Sequence, residues 1–164
     1  MAISLSPSAQ KIQNLLNDHG HPIHVLEFAA STRTSAEAAA AIGCEVAQIA
    51  KSIMFRTRDT ARPILVVASG SNRVNEATVA RHLASALAGE RLAKADADFV
   101  RQKTGYVIGG VPPVGHNVPP ITLFDRDLLA YPVIWAAAGT PNTVFPIAPD
   151  ALARLVGGLV AEVT

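Results

Sequence analysis

The sequence predicts an α+β domain: a curved, mostly antiparallel or mixed sheet, barrel-like, with flanking helices. Two observations lead there. Hairpin-type strand pairs alternate with helical patterns along the chain, and one continuous β-branched run, Pro63-Ile-Leu-Val-Val-Ala68, has the composition of a central strand. A third observation separates the two halves. The stretch Gly105–Pro120 holds four glycines and four prolines, too many for any regular element, and reads as a rigid, shaped loop. With 164 residues, 49% of them apolar, residues 1–164 are expected to form one domain with a sizeable core.

Taken in order, Ser6 and Pro7 open an amphipathic helix carrying Ile12, Leu15 and Leu16, which Gly20 ends. Residues 22–28 read as a strand. Thr34-Ser-Ala-Glu37 is a capping box at the head of an alanine-rich helix stopped by Gly43. A helical turn at Val46–Ala50 leads into the strand Lys51–Arg56, whose Ile53 and Phe55 share a face, and Arg58–Arg62 has turn chemistry that pairs this strand antiparallel with 63–68. A polar loop over 70–75 precedes a helix from about 76 to 88, and Asp96 caps another through Lys103. Beyond the glycine- and proline-rich loop come a strand at Ile121–Phe124, a turn or short helix at Asp125–Leu129, and a strand pair at Val133–Ala137 and Thr143–Ile147. Asp150 is expected to cap a terminal helix with Leu152, Leu155, Val156 and Leu159 inward.

Composition excludes several classes. A formal charge of +1 with 16% charged residues is not that of a polyanion-coating protein or a disordered tail, so any RNA contact must be local. No apolar stretch approaches the ~20 residues of a membrane span. Cys44 has no second cysteine to bridge and the first residues lack a signal-peptide pattern, so a reducing cytoplasm is the expected location.

The chemistry centres on the loop and on one lysine. The amides of Gly109, Gly110 and Val111 have no evident helix or strand to satisfy them, and donors of that kind suit a carbonyl, carboxylate or phosphate. Lys51 sits at a strand mouth, either as a cleft cation for an anionic group or as a solvated strand-end lysine. His116, inside the loop, either orients a water or a ribose hydroxyl or is simply exposed. His19, His21 and His24 scatter across a helix end and a strand start without a completing ligand, and no metal or cofactor is expected. Ser69-Gly-Ser-Asn fits neither a nucleophile elbow nor a phosphate loop.

Taken together, Val46-Ala-Gln-Ile-Ala-Lys51-Ser-Ile-Met-Phe-Arg56, Lys103-Thr-Gly-Tyr-Val-Ile-Gly-Gly-Val-Pro-Pro-Val-Gly-His116 and Val133-Ile-Trp-Ala-Ala-Ala-Gly-Thr-Pro-Asn142 resemble the YbaK/ProX family of aminoacyl-tRNA deacylases, over about Pro22 to Val163. That family is similar to the editing domain inserted in bacterial prolyl-tRNA synthetases. The resemblance implies that Lys51 is the functional lysine, that Gly109 and Pro113 are the glycine and proline of a Gly-x-x-x-Pro loop, and that Gly139 belongs to a second wall. It further implies catalysis by Lys51 and the Gly109 and Gly110 amides. The aminoacyl end would lie against Val111, Pro112, Pro113, Gly115, His116, Ala138 and Gly139. The implied substrate is the 3′ acceptor end of a mischarged tRNA bearing a small amino acid, with tRNA(Pro) and a synthetase partner in view. A noncatalytic module binding a nucleotide or tRNA end is the rival, separated from it by turnover of an ester.

Overall fold

The computed structural model describes residues 5–21 and 23–164. Its strands are β1 (Leu26–Glu27), β2 (Ile49–Thr57), β3 (Pro63–Ser69), β4 (Leu92–Lys94), β5 (Ile121–Asp125), β6 (Ile134–Ala137), β7 (Thr143–Ile147) and β8 (Leu159–Ala161). Its helices are α1 (Pro7–Asp18), α2 (Ser35–Ile42), α3 (Glu76–His82), α4 (Ala84–Leu87), α5 (Ala97–Thr104) and α6 (Pro149–Val156), with 3-10 turns at Val46–Gln48 and Arg126–Ala130.

All eight strands join one sheet in the order β1-β7-β6-β2-β3-β5-β8, with β4 added beside β2. The sheet is mixed. The hairpins β2–β3 and β6–β7 are antiparallel, as are β2–β4 and β1–β7, whereas β2–β6, β3–β5 and β5–β8 run parallel. Parallel neighbours need long connections, and the α3–α5 segment and α6 provide those before β5 and β8. The expected barrel-like curvature does not become closure: β1 and β8 end the sheet as separate edges.

β3 is the centre. Its seven residues are all buried, between β2 and β5, as its β-branched composition requires. Ala50 and Met54 of β2 join Leu65 and Val67 in the larger core, which α1 closes with Ala9, Ile12 and Leu16; Phe55, Ile64 and Val66 pack the other face against Val79, Leu83 and Leu87. Each fully buried Leu, Ile or Phe contributes about 1.5–3 kcal/mol relative to exposure. A one-residue slip of β2 would exchange its faces, so packing fixes the register on which the cleft depends.

Several expected boundaries move. Of the strand expected over 22–28, Leu26 and Glu27 alone form ladder, and Pro22 lies outside the described residues. The helix expected over 76–88 breaks at Leu83 into α3 and α4. Ser6 occupies the N-cap of α1 without a side-chain cap bond. Asp150 is not a cap: Ala148 holds that position, Pro149 follows, and Asp150 pairs with Arg154 at 3.3 Å in the first turn. Leu159, expected on the inner face of that helix, lies on β8 and is half exposed, because Gly157 in the left-handed region ends α6 first. Among the described residues no helix is long and apolar enough to cross a membrane.

Candidate functional site

The site begins as a gap in the sheet. One edge of β2 is covered by β3 from Ala50 to Arg56. On the other edge β6 pairs at Ile49 and Ala50 and β4 at Phe55–Thr57, so the middle of β2 has no strand beside it. A cleft of about 480 Å³ opens there, walled by β6, by Ile108, Gly109 and Val111 of the loop, and by the segment that enters α2.

That entering segment is pinned from behind. The Phe28 amide donates to the Asn142 carbonyl and Asn142 Nδ2 donates to the Phe28 carbonyl, both at 2.9 Å, while the Thr32 amide donates to the Pro141 carbonyl at 2.7 Å. Thr34 then caps α2, its Oγ1 accepting from the Glu37 amide at 3.1 Å, a bond of a kind that stabilises a helix by about 1 kcal/mol. Between these anchors lies Arg33, in the cleft wall and against the α-carbon face of Gly109.

Among the described residues, Arg33 and Lys51 are the charged ones lining the cleft, and no carboxylate lines it. Lys51 Nζ donates to the Asn72 carbonyl at 2.7 Å. Asn72 is held in turn, its Nδ2 donating to Asp125 Oδ2 at 2.8 Å and to Asp127 Oδ2 at 2.9 Å. Asp125 is fully buried and receives the Ser69 and Asp127 amides at 2.9 Å each. Burial pushes the Lys51 ammonium below the ordinary lysine range, and the Asp125 carboxylate opposes that fall. The lysine is therefore half-buried, oriented by a carbonyl rather than neutralised by a direct ion pair, and its charge remains available to an incoming anion.

The loop is irregular throughout, as its composition requires. Its ends are fixed by the Asn117 amide on the Thr104 carbonyl (3.2 Å) and the Val118 amide on the Lys103 carbonyl (2.9 Å), and Lys11 of α1 reaches the Gly115 carbonyl at 3.3 Å. At its tip the Gly110 amide donates to the Val107 carbonyl at 3.1 Å, closing a turn whose third residue, Gly109, has φ +97°. Glycine is needed there for that φ. It is needed at Gly110 for another reason, since a β-carbon would lie 2.7 Å from the Thr140 carbonyl carbon. Among the described residues, the Gly109 and Val111 amides donate to no protein acceptor.

The structure brings Lys51, Gly109 and Val111 together around the cleft and separates the other expected residues from it. Gly110 spends its amide inside the turn. Pro113, Gly115 and His116 line a separate depression on the α1 side with His19 and Leu15. The His116 ring is largely buried, with Nε2 donating to the Pro112 carbonyl at 2.6 Å, and burial pushes its pKa below the ordinary value. It faces away from the cleft. Pro112 and Ala138 are buried behind the lining, and Gly139 backs onto Ser8 and Tyr106. Of the wall expected over Ala136–Gly139, Ala136 and Ala137 line the cleft, joined by Trp135 of β6. Cys44 is half-buried against the small cluster of Ala38, Ala39 and Ile49, and burial raises its thiol pKa. Among the described residues no group of three or more metal-ligating side chains gathers.

Sequence reasoning missed Arg33 and Ser52. Arg33 gives no periodic signal in a loop, and only the long-range pinning of its segment brings it to Gly109. Ser52 reads as an ordinary strand residue until the missing neighbour of β2 is known.

The model of the aminoacyl-tRNA editing domain matches residues 29–155. A solved structure described as a candidate trans-editing enzyme for prolyl-tRNA synthetase superposes with a TM-score of 0.88 at 44% identity, covering 98% of this chain and 99% of that one. YwhH of Bacillus subtilis strain 168, a protein of uncharacterised activity, is 30% identical over 79% of each chain. EbsC of Enterococcus faecalis, named as a candidate Cys-tRNA(Pro)/Cys-tRNA(Cys) deacylase, is 26% identical over 100% of this chain and 98% of its own length.

Proposed function

Because the chain belongs to the aminoacyl-tRNA editing domain family, and is thereby an aminoacyl-tRNA deacylase, we propose that the cleft beside Lys51 is where it hydrolyses the ester joining a small amino acid to the 3′ end of a mischarged tRNA. One observation carries the assignment of the site: an apolar cleft lined, among the described residues, by two cations and no anion, and rimmed by Gly109 and Val111 amides that find no acceptor there. A tRNA end supplies what such a cleft lacks, phosphate charge for Lys51 and Arg33 and a polarisable ester carbonyl for the amides.

In this mechanism water adds to the ester carbonyl carbon and the developing oxyanion is received by the Gly109 and Val111 amides. The bond to the ribose oxygen then breaks, and that oxygen leaves as a hydroxyl, taking one proton of the attacking water while the other passes to solvent. The amino acid departs as a carboxylate. Lys51 and Arg33 fix the terminal nucleotide so that the ester meets the loop, and no covalent enzyme intermediate is required. An oxyanion donor of this kind is worth about 10²–10³ in rate, enough to matter for an ester that already hydrolyses slowly in water.

Size sets the amino acid. Val111, Ala136 and Ala137 leave room beside the terminal ribose for a small side chain and oppose a large one by overlap. Editing of small residues is where a separate hydrolytic site is needed, since one methylene gives a synthetase pocket only about 1–3 kcal/mol of discrimination. The names of the EbsC relative and of the similar solved structure support tRNA(Pro) as the carrier and prolyl-tRNA synthetase as the enzyme whose errors are corrected. The test is single-turnover hydrolysis of tRNA(Pro) charged with alanine, serine, cysteine, proline or phenylalanine. Release of small residues with phenylalanine retained is expected; no release, or equal release across the series, refutes the proposal.

A further inference from the structure

We infer that Ser52 is the positioning residue that receives the substrate's α-ammonium group, an inference that rests on the deacylase reading of the same cleft. The sheet register points to it. The Gly70 amide donates to the Ile49 carbonyl and the Thr57 amide to the Arg62 carbonyl, so odd-numbered residues of β2 turn their amides and carbonyls toward β3. Even-numbered residues turn theirs to the other edge. Ala50 meets β6 there and Arg56 meets β4; Ser52 meets no strand, and its amide and carbonyl face the gap. The Ser52 hydroxyl is shielded from bulk water and, among the described residues, has no hydrogen-bond partner. Three polar groups of one residue are thus unengaged at the cleft floor, whereas buried polar groups are ordinarily paired.

The charge of the lining decides which substrate group belongs there. An aminoacyl ester carries a cationic ammonium next to the carbonyl under attack, and a site that binds it needs acceptors. Among the described residues the cleft offers no carboxylate, and both of its charged side chains, Arg33 and Lys51, repel an ammonium. Neutral acceptors must do the work. The Ser52 carbonyl and Oγ supply two of them from one residue, on the strand that also carries Lys51. An ammonium held at Ser52 sets the direction of the Cα–C bond and thereby turns the ester carbonyl toward the Gly109 rim. Lys51 and Arg33 are left to the phosphate. Ser52 therefore acts through orientation and selects substrates that bear an α-amino group.

The experiment compares alanyl-tRNA with propionyl-tRNA, which differs by lacking the α-amino group, in the parent, Ser52→Ala and Ser52→Thr under single-turnover conditions, with thermal melting as a check on folding. The parent is expected to prefer alanyl-tRNA. Ser52→Ala should lose about tenfold to a hundredfold in rate on alanyl-tRNA, the range for a hydrogen bond to a charged group, and no more than about twofold on propionyl-tRNA. Ser52→Thr, which keeps the hydroxyl and suits a strand, should restore the preference. Equal losses on both substrates, or no loss on either, would overturn the inference while leaving the deacylase reading intact. A parent inactive on alanyl-tRNA and on every other small aminoacyl-tRNA would instead refute that reading and this inference with it.

Discussion

Gly109→Ala tests the loop and its neighbour at once. With φ at +97° the glycine sits where a β-carbon costs about 1–2 kcal/mol, and since each kcal/mol moves the melting point of a protein this size by about 2–4 °C, the melt should fall by about 2–8 °C. A typical reserve of about 5–15 kcal/mol leaves such a variant essentially all folded at 25 °C, so unfolding cannot account for lost activity. The added carbon would stand 2.6 Å from Arg33 Cγ and 2.8 Å from Arg33 Nε, well inside contact. A flexible arginine yields before a pinned backbone does, so Arg33 should swing out of the wall while the Gly109 amide is tilted by the strain. The expected cost is about 10² in kcat/KM, or about 2.7 kcal/mol of transition-state stabilisation. The assay is single-turnover deacylation by the parent, Gly109→Ala, Arg33→Ala and the double variant. If displacement of Arg33 is part of the effect, the double variant loses less than the product of the single losses. Activity of Gly109→Ala within twofold of the parent, or losses that simply multiply, would refute the reasoning.

Three further outcomes follow. Lys51→Ala should cost at least about 10² in rate with the fold retained; because burial lowers the lysine's pKa, affinity for a non-hydrolysable amide analogue of the aminoacyl end should weaken with rising pH before the ordinary lysine value of 10.5, and Lys51→Arg should remove that weakening. Val111→Ala should extend hydrolysis to larger aminoacyl groups and Ala137→Val should restrict it, and an unmoved size preference in a graded series of aminoacyl-tRNAs would exclude this wall from the amino-acid pocket. Glu90 is held down to about 2 first by the Thr60 hydroxyl and then by the Thr60 amide, with the Asp59 amide and Arg62 adding to them. A depressed carboxyl stabilises the fold above its unfolded value of 4.5 and loses that contribution as pH falls toward about 2, so denaturant melts of Glu90→Gln should show a smaller acid loss than the parent across this window.

Local chemistry was legible where it was self-contained. Thr34 announces α2 through its own cap, Gly105 ends α5 in the left-handed region, and the apolar run of β3 could only be buried. Long-range partners were not legible. Nothing in Trp135 specifies a parallel partner at Ile49, and nothing in Arg33 names Gly109; both depend on the turn at Thr140–Asn142 reaching back to Phe28. His116 misled because residues adjacent in a bent loop point to opposite sides: Val111 faces the cleft and His116, past Pro112 and Pro113, faces α1. Leu159 misled because helical spacing continues past Gly157 although the backbone does not.

The pairing of Ile49 with Trp135 and of Leu26 with Val144 also bears on when the protein becomes competent. Contacts between such distant parts of a chain require large loops to close first, and closure entropy makes them late and slow to form. The hairpin of β2 and β3 can assemble as soon as it is synthesised, but until β6 and β7 arrive, β2 has no strand at Ile49 and β1 has none at all. A nascent chain halted before Ile134 would carry Lys51, Ser52 and Gly109 and still lack the β6 wall of the cleft. Activity should therefore appear abruptly, with the last of the fold, and not grow as each site residue leaves the ribosome.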